Sequence, residues 1–221
     1  MDLTSSDIKD RLLIAGLELF AKRGFHGVSI RELATQANAN SSMITYHFGG
    51  KKGLYLAVYQ YIADLLNSRV SEVFIENEVL LNNLNKQDAA QRNQNILAIL
   101  KDISDKFMTL MLSQHSISIA KLLLAERDDK SDAFMILYNA YINPVLNHIA
   151  NLLGQLISEN PHSIKVKTLA INFIAQHVIW RIMHNIGECF ILENEHDQLI
   201  NYQQDIQFHI FAQLTAEIKV A

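Results

Sequence analysis

The 221-residue chain is 49% hydrophobic and 19% charged, a balance that supports a sizeable buried core and excludes an intrinsically disordered chain. Its single cysteine, Cys189, excludes an intramolecular disulfide framework, and no apolar run approaches the roughly 20 residues that span a bilayer. The net charge of −4 argues by itself against nucleic acid, but residues 1–52 carry +2 and the remainder −6, a mildly basic head on an acidic body. The stretch from Met1 to Asp7 is polar and lacks the apolar centre of a secretion signal, so the expectation is a cytoplasmic protein with no membrane association. Two prolines and eight glycines are too few for a turn-rich β architecture. Apolar positions recur at helical spacing instead, so the expected fold is all-α, with about nine helices.

A first helix is expected from about Asp7 to Arg23, with Leu12, Ala15, Gly16, Leu19 and Phe20 on its inner face and Gly24 as its stop. Ser29 followed by Glu32 has the spacing of a capping box, which opens a second short helix whose Ile30, Leu33, Ala34 and Ala37 share one side. Asn40 is positioned to cap a third helix, Ser41 to Phe48, anchored by Ile44 and Phe48. The opposite face of that helix offers Ser41, Ser42, Thr45, Tyr46 and His47, and Lys51 begins a long fourth helix. Two short helices about a tight turn, the second with a small polar outer face, describe a helix-turn-helix. Small hydroxyl side chains let a helix sit deep in the major groove and bond base edges. Tyr46, His47 and Lys51 have the reach and chemistry to hold phosphates.

Ala21-Lys22-Arg23-Gly24-Phe25, Val28-Ser29-Ile30-Arg31-Glu32-Leu33-Ala34, Tyr46-His47-Phe48 and Lys51 with Leu54 together resemble the DNA-binding domain of the TetR family. The resemblance implies phosphate contacts from Ser29, Tyr46, His47 and Lys51, with Ser41, Ser42 and Thr45 nearest the bases. It also implies double-stranded operator DNA with an inverted repeat as the partner. Two departures stand out. Asn38 occupies a turn position where the family usually has Gly, and Thr45 stands where the family often has an aromatic residue. Asn tolerates the left-handed conformation, so the turn survives, whereas the Thr45 change alters which bases are read.

Beyond the head, the fourth helix is expected to reach about Phe74 or Glu78, followed by an Asn-rich connector at Asn82, Asn83 and Asn85. Further helices are expected over about Ala90–Ser113, Ser116–Glu126, Ser131–Ser158, Ser163–Phe190 and Asp197–Lys219, with Pro144 kinking the third of these or freeing a carbonyl. Residues 1–52 then form the helix-turn-helix domain, and residues 53–221 a helical bundle for effector binding and dimerisation. The segments Ala120–Glu126, Ala133-Phe134 and Tyr141-Ile142 with Pro144-Val145 are similar to the CecR-type branch of the TetR family, as is His47 to Lys51. That similarity implies a ligand-responsive repressor of transport or stress genes.

In the last helix Leu199, Tyr202, Ile206, Ile210 and Leu214 form one apolar stripe, with Phe208, Phe211 and Ile218 on a neighbouring face. A stripe this wide fits burial on two sides, or an ordinary internal core. TetR-type proteins pair their last two helices into a four-helix bundle, so the resemblance implies a homodimer. His177, Arg181, His184 and Glu188 line one face of the preceding helix beside Trp180 and Met183. Three readings stand for that stripe: a structural polar seam, part of a small-molecule pocket, or a metal site. His177 and His184 lie about 10 Å apart along a helix axis, too far to ligate one ion directly, so no metal is expected. Phe107, Met111, His115 and Tyr138 complete the candidate effector pocket, with ordinary core as the competing reading. No obligatory cofactor is implied. No phosphate loop, nucleophile elbow or zinc-hydrolase spacing occurs, so the chain is not expected to be an enzyme. The alternative to an operator-binding repressor is a helical module that keeps the fold but binds a protein partner.

Overall fold

A computed structural model describes residues 7–113, 115–126, 130–182, 210–212 and 214–216. Among these residues the fold is all-α, with ten α-helices, one 3-10 turn, one π-helical turn and no strand. No single described helix is long and apolar enough to cross a membrane. The packing divides the chain into two compact units, residues 1–66 with 115–142, and residues 67–114 with 143–221.

The first unit begins with α1 (Ile8–Arg23), α2 (Ile30–Gln36) and α3 (Ser41–Phe48), each opened by a side-chain cap. Asp7 accepts from the Lys9 amide, Ser29 from Glu32 and Asn40 from Ser42, satisfying amides that the first turn leaves without partners. Gly49 closes α3 in the left-handed conformation at φ 71°, a geometry glycine adopts without side-chain strain. The long α4 (Lys51–Glu76) follows, and its first part belongs to this unit. Leu12, Leu33, Ile44, Leu54 and Val58 are fully buried and make the core of the head. Gly16 lets α1 and α4 approach closely, since a Cβ there would lie 2.8 Å from a Val58 methyl. The unit is completed by α7 (Ser116–Ala125), which packs on α1, and by α8 (Asp132–Leu137), capped by Ser131.

The second unit takes the end of α4, then α5 (Glu78–Asn83), a 3-10 turn (Leu84–Lys86) and α6 (Ala89–Leu112), capped by Asp88. It continues with α9 (Asn143–Leu156) and α10 (Ile164–Ile182). Helices α6, α9 and α10 pack mutually around Ile96, Ile99, Leu100, Ile103, Ile149, Leu153, Val166 and Phe173. Burying one such side chain contributes about 1.5–3 kcal/mol, which is what holds three amphipathic helices together.

Two expectations need correction. The Asn-rich connector is helical, as α5 and a 3-10 turn: the Asn83 side chain donates to the Val79 carbonyl four residues back, so it back-bonds along a helix, and the break falls earlier, at Asn77, whose side chain donates to the Val73 carbonyl at the end of α4. The helix expected over 131–158 runs without a loop from Asp132 to Leu156, but it is not α-helical throughout. A π-helical turn over Tyr138–Ile142 separates α8 from α9. Pro144 has no N–H to donate and its ring crowds the carbonyl four residues earlier, and the wider turn accommodates both faults.

Candidate nucleic-acid interface

The α2–α3 turn sets the pose of α3. The Ala39 amide donates to Ala34 O at 2.8 Å and the Asn38 amide to Thr35 O at 3.1 Å, the paired bonds of a Schellman motif. Asn38 takes the left-handed position at φ 48°, so asparagine serves where glycine is more usual. From α1, Arg11 Nε donates to the Ala37 carbonyl at 3.0 Å.

With Ile44 wholly buried beneath α3, Ser42, Thr45 and Tyr46 point outward, and Tyr46 is 81% exposed. Ser41 and His47 are half-buried at the edges of this face. The Tyr46 and His47 rings meet edge to face at 4.9 Å, so the two stiffen each other. Lys51 is the first residue of α4, and its ammonium lies 4.5 Å from the centre of the Phe25 ring. That cation–π contact restrains a flexible side chain beside the amides of a helix N-terminus, a setting that favours a phosphate. Phe25 is fixed in turn by Tyr55, whose ring meets it at 5.0 Å.

The Tyr55 hydroxyl donates to Glu126 Oε1 at 2.5 Å, and Tyr59 donates to the Leu122 carbonyl at 2.8 Å, tying α4 to the end of α7. Burial and the adjacent Glu126 carboxylate push the Tyr55 hydroxyl up to about 12, so it stays a donor across the working pH range. Glu126 also accepts from the Ser131 hydroxyl that caps α8.

Ser29 is engaged otherwise. Its amide and hydroxyl both donate to Glu32 Oε2, at 2.8 and 2.7 Å, and Arg23 bonds Glu32 Oε1 at 2.8 Å. These donors hold the Glu32 carboxyl down at about 2. In this arrangement both Ser29 donors serve the cap, so a phosphate would have to compete with Glu32 for them. Lys52, a neighbour of Lys51, is paired with Asp132 at 3.0 Å across an exposed surface, which subtracts from the positive field there.

The remaining candidates divide between the units. In the second, Phe107 is buried and its ring faces His177 at 5.6 Å, while Met111 is half-buried. His177 is 0% exposed. Its Nδ1 lies 2.6 Å from the Phe173 carbonyl, which can only accept, so Nδ1 carries the hydrogen and Nε2 accepts from the Ser104 hydroxyl at 2.7 Å. Both ring nitrogens are thus committed inside the protein. In the first unit His115 is half-buried with a buried Nε2 that has no partner among the described residues, and Tyr138 stacks on Phe134 at 5.7 Å. The side chains of Trp180 and Arg181 and the whole of His184 lie outside the described residues, as do Leu199, Tyr202 and Ile206. Ile210 and Leu214 are buried, and with Leu169 and Phe173 of α10 they line a cavity of about 260 Å³. The exposed Ile164, Ile171 and Ile179 lie seven and eight residues apart, on one outer face of α10. Among the described residues no group of three or more His, Cys, Asp or Glu side chains is placed to hold a metal ion.

Phe25, Arg11 and Tyr55 are the contributors that sequence reasoning misses, because each acts through a partner distant in the chain. Only the Gly24-Phe25 string carries a local signal for one of them.

A family model described as bacterial regulatory proteins, tetR family, matches residues 12–58. A second, described as the C-terminal domain of the HTH-type transcriptional dual regulator CecR, matches residues 96–197. The chain is 28% identical over 154 residues to the HTH-type transcriptional dual regulator CecR of Shigella flexneri, spanning 70% of this chain and 66% of that relative. Its fold is similar to that of AibR in complex with isovaleryl coenzyme A and operator DNA, with a TM-score of 0.63 at 15% identity over 93% of this chain and 98% of that one. The fatty acid degradation regulator FadR of Bacillus halodurans gives a TM-score of 0.60 at 12% identity, covering 94% of this chain and 96% of its own.

Proposed function

Since the chain belongs to the TetR family of transcriptional regulators and has a CecR-like C-terminal domain, we propose that it is a sequence-specific repressor that binds operator DNA as a homodimer. Regulators of this family generally bind DNA as dimers and respond to effectors, and they are not enzymes. Residues 1–52 are the reading head. Helix α3 enters the major groove with Ser41, Ser42 and Thr45 toward the bases, while Tyr46, His47 and Lys51 grip the phosphates of the flanking strands. Ser29 joins them if its cap opens. The observation that carries this reading is the outer face of α3, polar and solvent-exposed over a buried Ile44, with Lys51 held at the adjacent helix N-terminus. Such a regulator works in the cytoplasm, where the DNA is.

Residues 53–221 supply dimerisation and effector sensing. We assign the dimer seam to the sequence stripe of Leu199, Tyr202 and Ile206 together with the exposed Ile164, Ile171 and Ile179 on the outer face of α10, whereas Ile210 and Leu214 of the same stripe are buried within the subunit. A two-fold dimer presents two heads to two half-sites, so the operator is an inverted repeat. An effector bound by the body favours a state in which the heads are wrongly spaced, and so releases the operator. Among the candidate pocket residues, His115 brings a buried nitrogen with no partner among the described residues, whereas both His177 nitrogens are engaged.

The test is selection of binding sites from a random duplex library by the purified protein at near-physiological salt. An enriched inverted repeat, bound by a dimer, is the expected result. Salt-labile binding with no enriched sequence would overturn the reading.

A further inference from the structure

We propose that Arg11 is a positioning residue for the reading helix: from α1 it fixes the α2–α3 turn and thereby the angle at which α3 meets DNA. The proposal rests on the DNA-binding reading above. The Schellman bonds use the amides of Asn38 and Ala39, and they leave the carbonyls of Ala37 and Asn38 outside the motif. Arg11 takes both. Its Nε donates to Ala37 O at 3.0 Å and its Nη2 reaches Asn38 O at 3.5 Å. The guanidinium is suited to this, since one rigid fork presents two donors to two successive carbonyls and sets its charge against the negative end of the α2 dipole. A lysine there has a single ammonium and no fork.

The turn has need of such a clamp. Asn38 is held at φ 48°, a left-handed conformation that asparagine tolerates at more cost than glycine, so a bond from outside the turn helps to hold it. Two residues later Asn40 caps α3, so any relaxation at Asn38 passes directly into the start of the reading helix. Because Arg11 donates to the turn carbonyls, the role assigned to it is geometric, distinct from phosphate neutralisation.

The test compares wild type, Arg11→Met, Arg11→Lys, Asn38→Gly and the Arg11→Met/Asn38→Gly double variant, with thermal melts to set a temperature at which each is folded. Two readouts are taken. Amide hydrogen exchange at Ala39 and at Ser41 to Met43 is expected to accelerate in Arg11→Met, less so in Arg11→Lys, and to return toward wild type when Asn38→Gly is added. Affinity for the selected duplex is expected to fall about tenfold in Arg11→Met, with the salt slope unchanged and binding to unrelated duplex retained, so that the specificity ratio drops. Unchanged exchange would overturn the proposal with or without DNA. A salt slope shallower by about one contact, or equal losses on selected and unrelated duplexes, would make Arg11 a phosphate ligand instead. Failure of the wild type to select any duplex, with exchange accelerated as expected, would confine Arg11 to the turn and overturn the DNA-binding reading.

Discussion

His177 gives the second unit a pH-dependent stability whose size follows from its surroundings. Burial lowers its imidazole from 6.5 to about 4, overcoming the Phe173 carbonyl and the Asp105 charge, both of which favour the protonated ring. The folded state therefore binds the neutral ring, and the unfolded chain takes up a proton first as pH falls. The contribution is fully present above about pH 6.5, declines as pH falls from there toward 4, and is lost below that. Between pH 7.5 and 4.5 the loss comes to about 2–3 kcal/mol, since one pKa unit is worth roughly 1.4 kcal/mol. The assay is urea unfolding followed by circular dichroism across that range, at fixed protein concentration because dimerisation feeds into apparent stability. His177→Gln removes the titration and keeps groups able to face Ser104 and Phe173. It should be less stable than wild type at pH 7.5, and the gap should close by about 2–3 kcal/mol by pH 4.5. Parallel profiles would refute the reasoning, because they would mean that the folded ring takes up its proton as readily as the unfolded one.

In the head, Lys51→Ala should weaken binding to every duplex alike and reduce the salt slope by about 0.9, and an unaltered slope in a salt titration would remove Lys51 from the phosphate contacts. Thr45→Ala should change the ranking of operator variants by about 1–3 kcal/mol at one base pair, measured by competition among single-substituted duplexes. A uniform loss would mean that Thr45 reads nothing. Ile171→Asp, on the exposed face of α10, should raise the dimer dissociation constant at least tenfold in sedimentation velocity while leaving the helical spectrum intact. An unchanged dimer would place the seam elsewhere.

The parts of the molecule legible in the sequence are those whose causes are local. Ser29 and Glu32 lie three residues apart and form a capping box as their spacing requires, and Asn40 caps α3 in the same way. Ile44 reads as the inner anchor of α3 from periodicity alone and is buried. What stays hidden depends on side chains brought together over long separations. Lys51 meets the Phe25 ring across 26 residues, and the Ser104–His177 bond spans 73. In the sequence His177 has the same spacing whether it faces a ligand, a partner or a core serine. The Asn-rich stretch misleads for a different reason. Asparagine favours turns through local side-chain bonds, yet at Asn83 that bond runs to the carbonyl four residues back and is compatible with a helix. Around Pro144 the warning is present but incomplete. Pro144 reads as a fault in an α-helical ladder, but nothing local says that the fault takes the form of a π-helical turn over Tyr138–Ile142.

The π-helical turn over Tyr138–Ile142 acts as one inserted residue absorbed without a loop. Each residue of an α-helix advances about 100°, so a helix that gains one residue and stays α-helical turns every later side chain by that angle. Confining the extra residue to a wide turn lets α9 keep its phase. The arrangement bears on how this chain should be aligned and edited: a relative with an uninterrupted helix here needs a one-residue gap between 138 and 142, and alignment without it misassigns every position of α9. The same logic applies to engineering. Deleting one residue inside the turn shortens the chain but spares the register on both sides, whereas the same deletion inside α9 would swing Ile149, Leu152 and Leu153 out of the core.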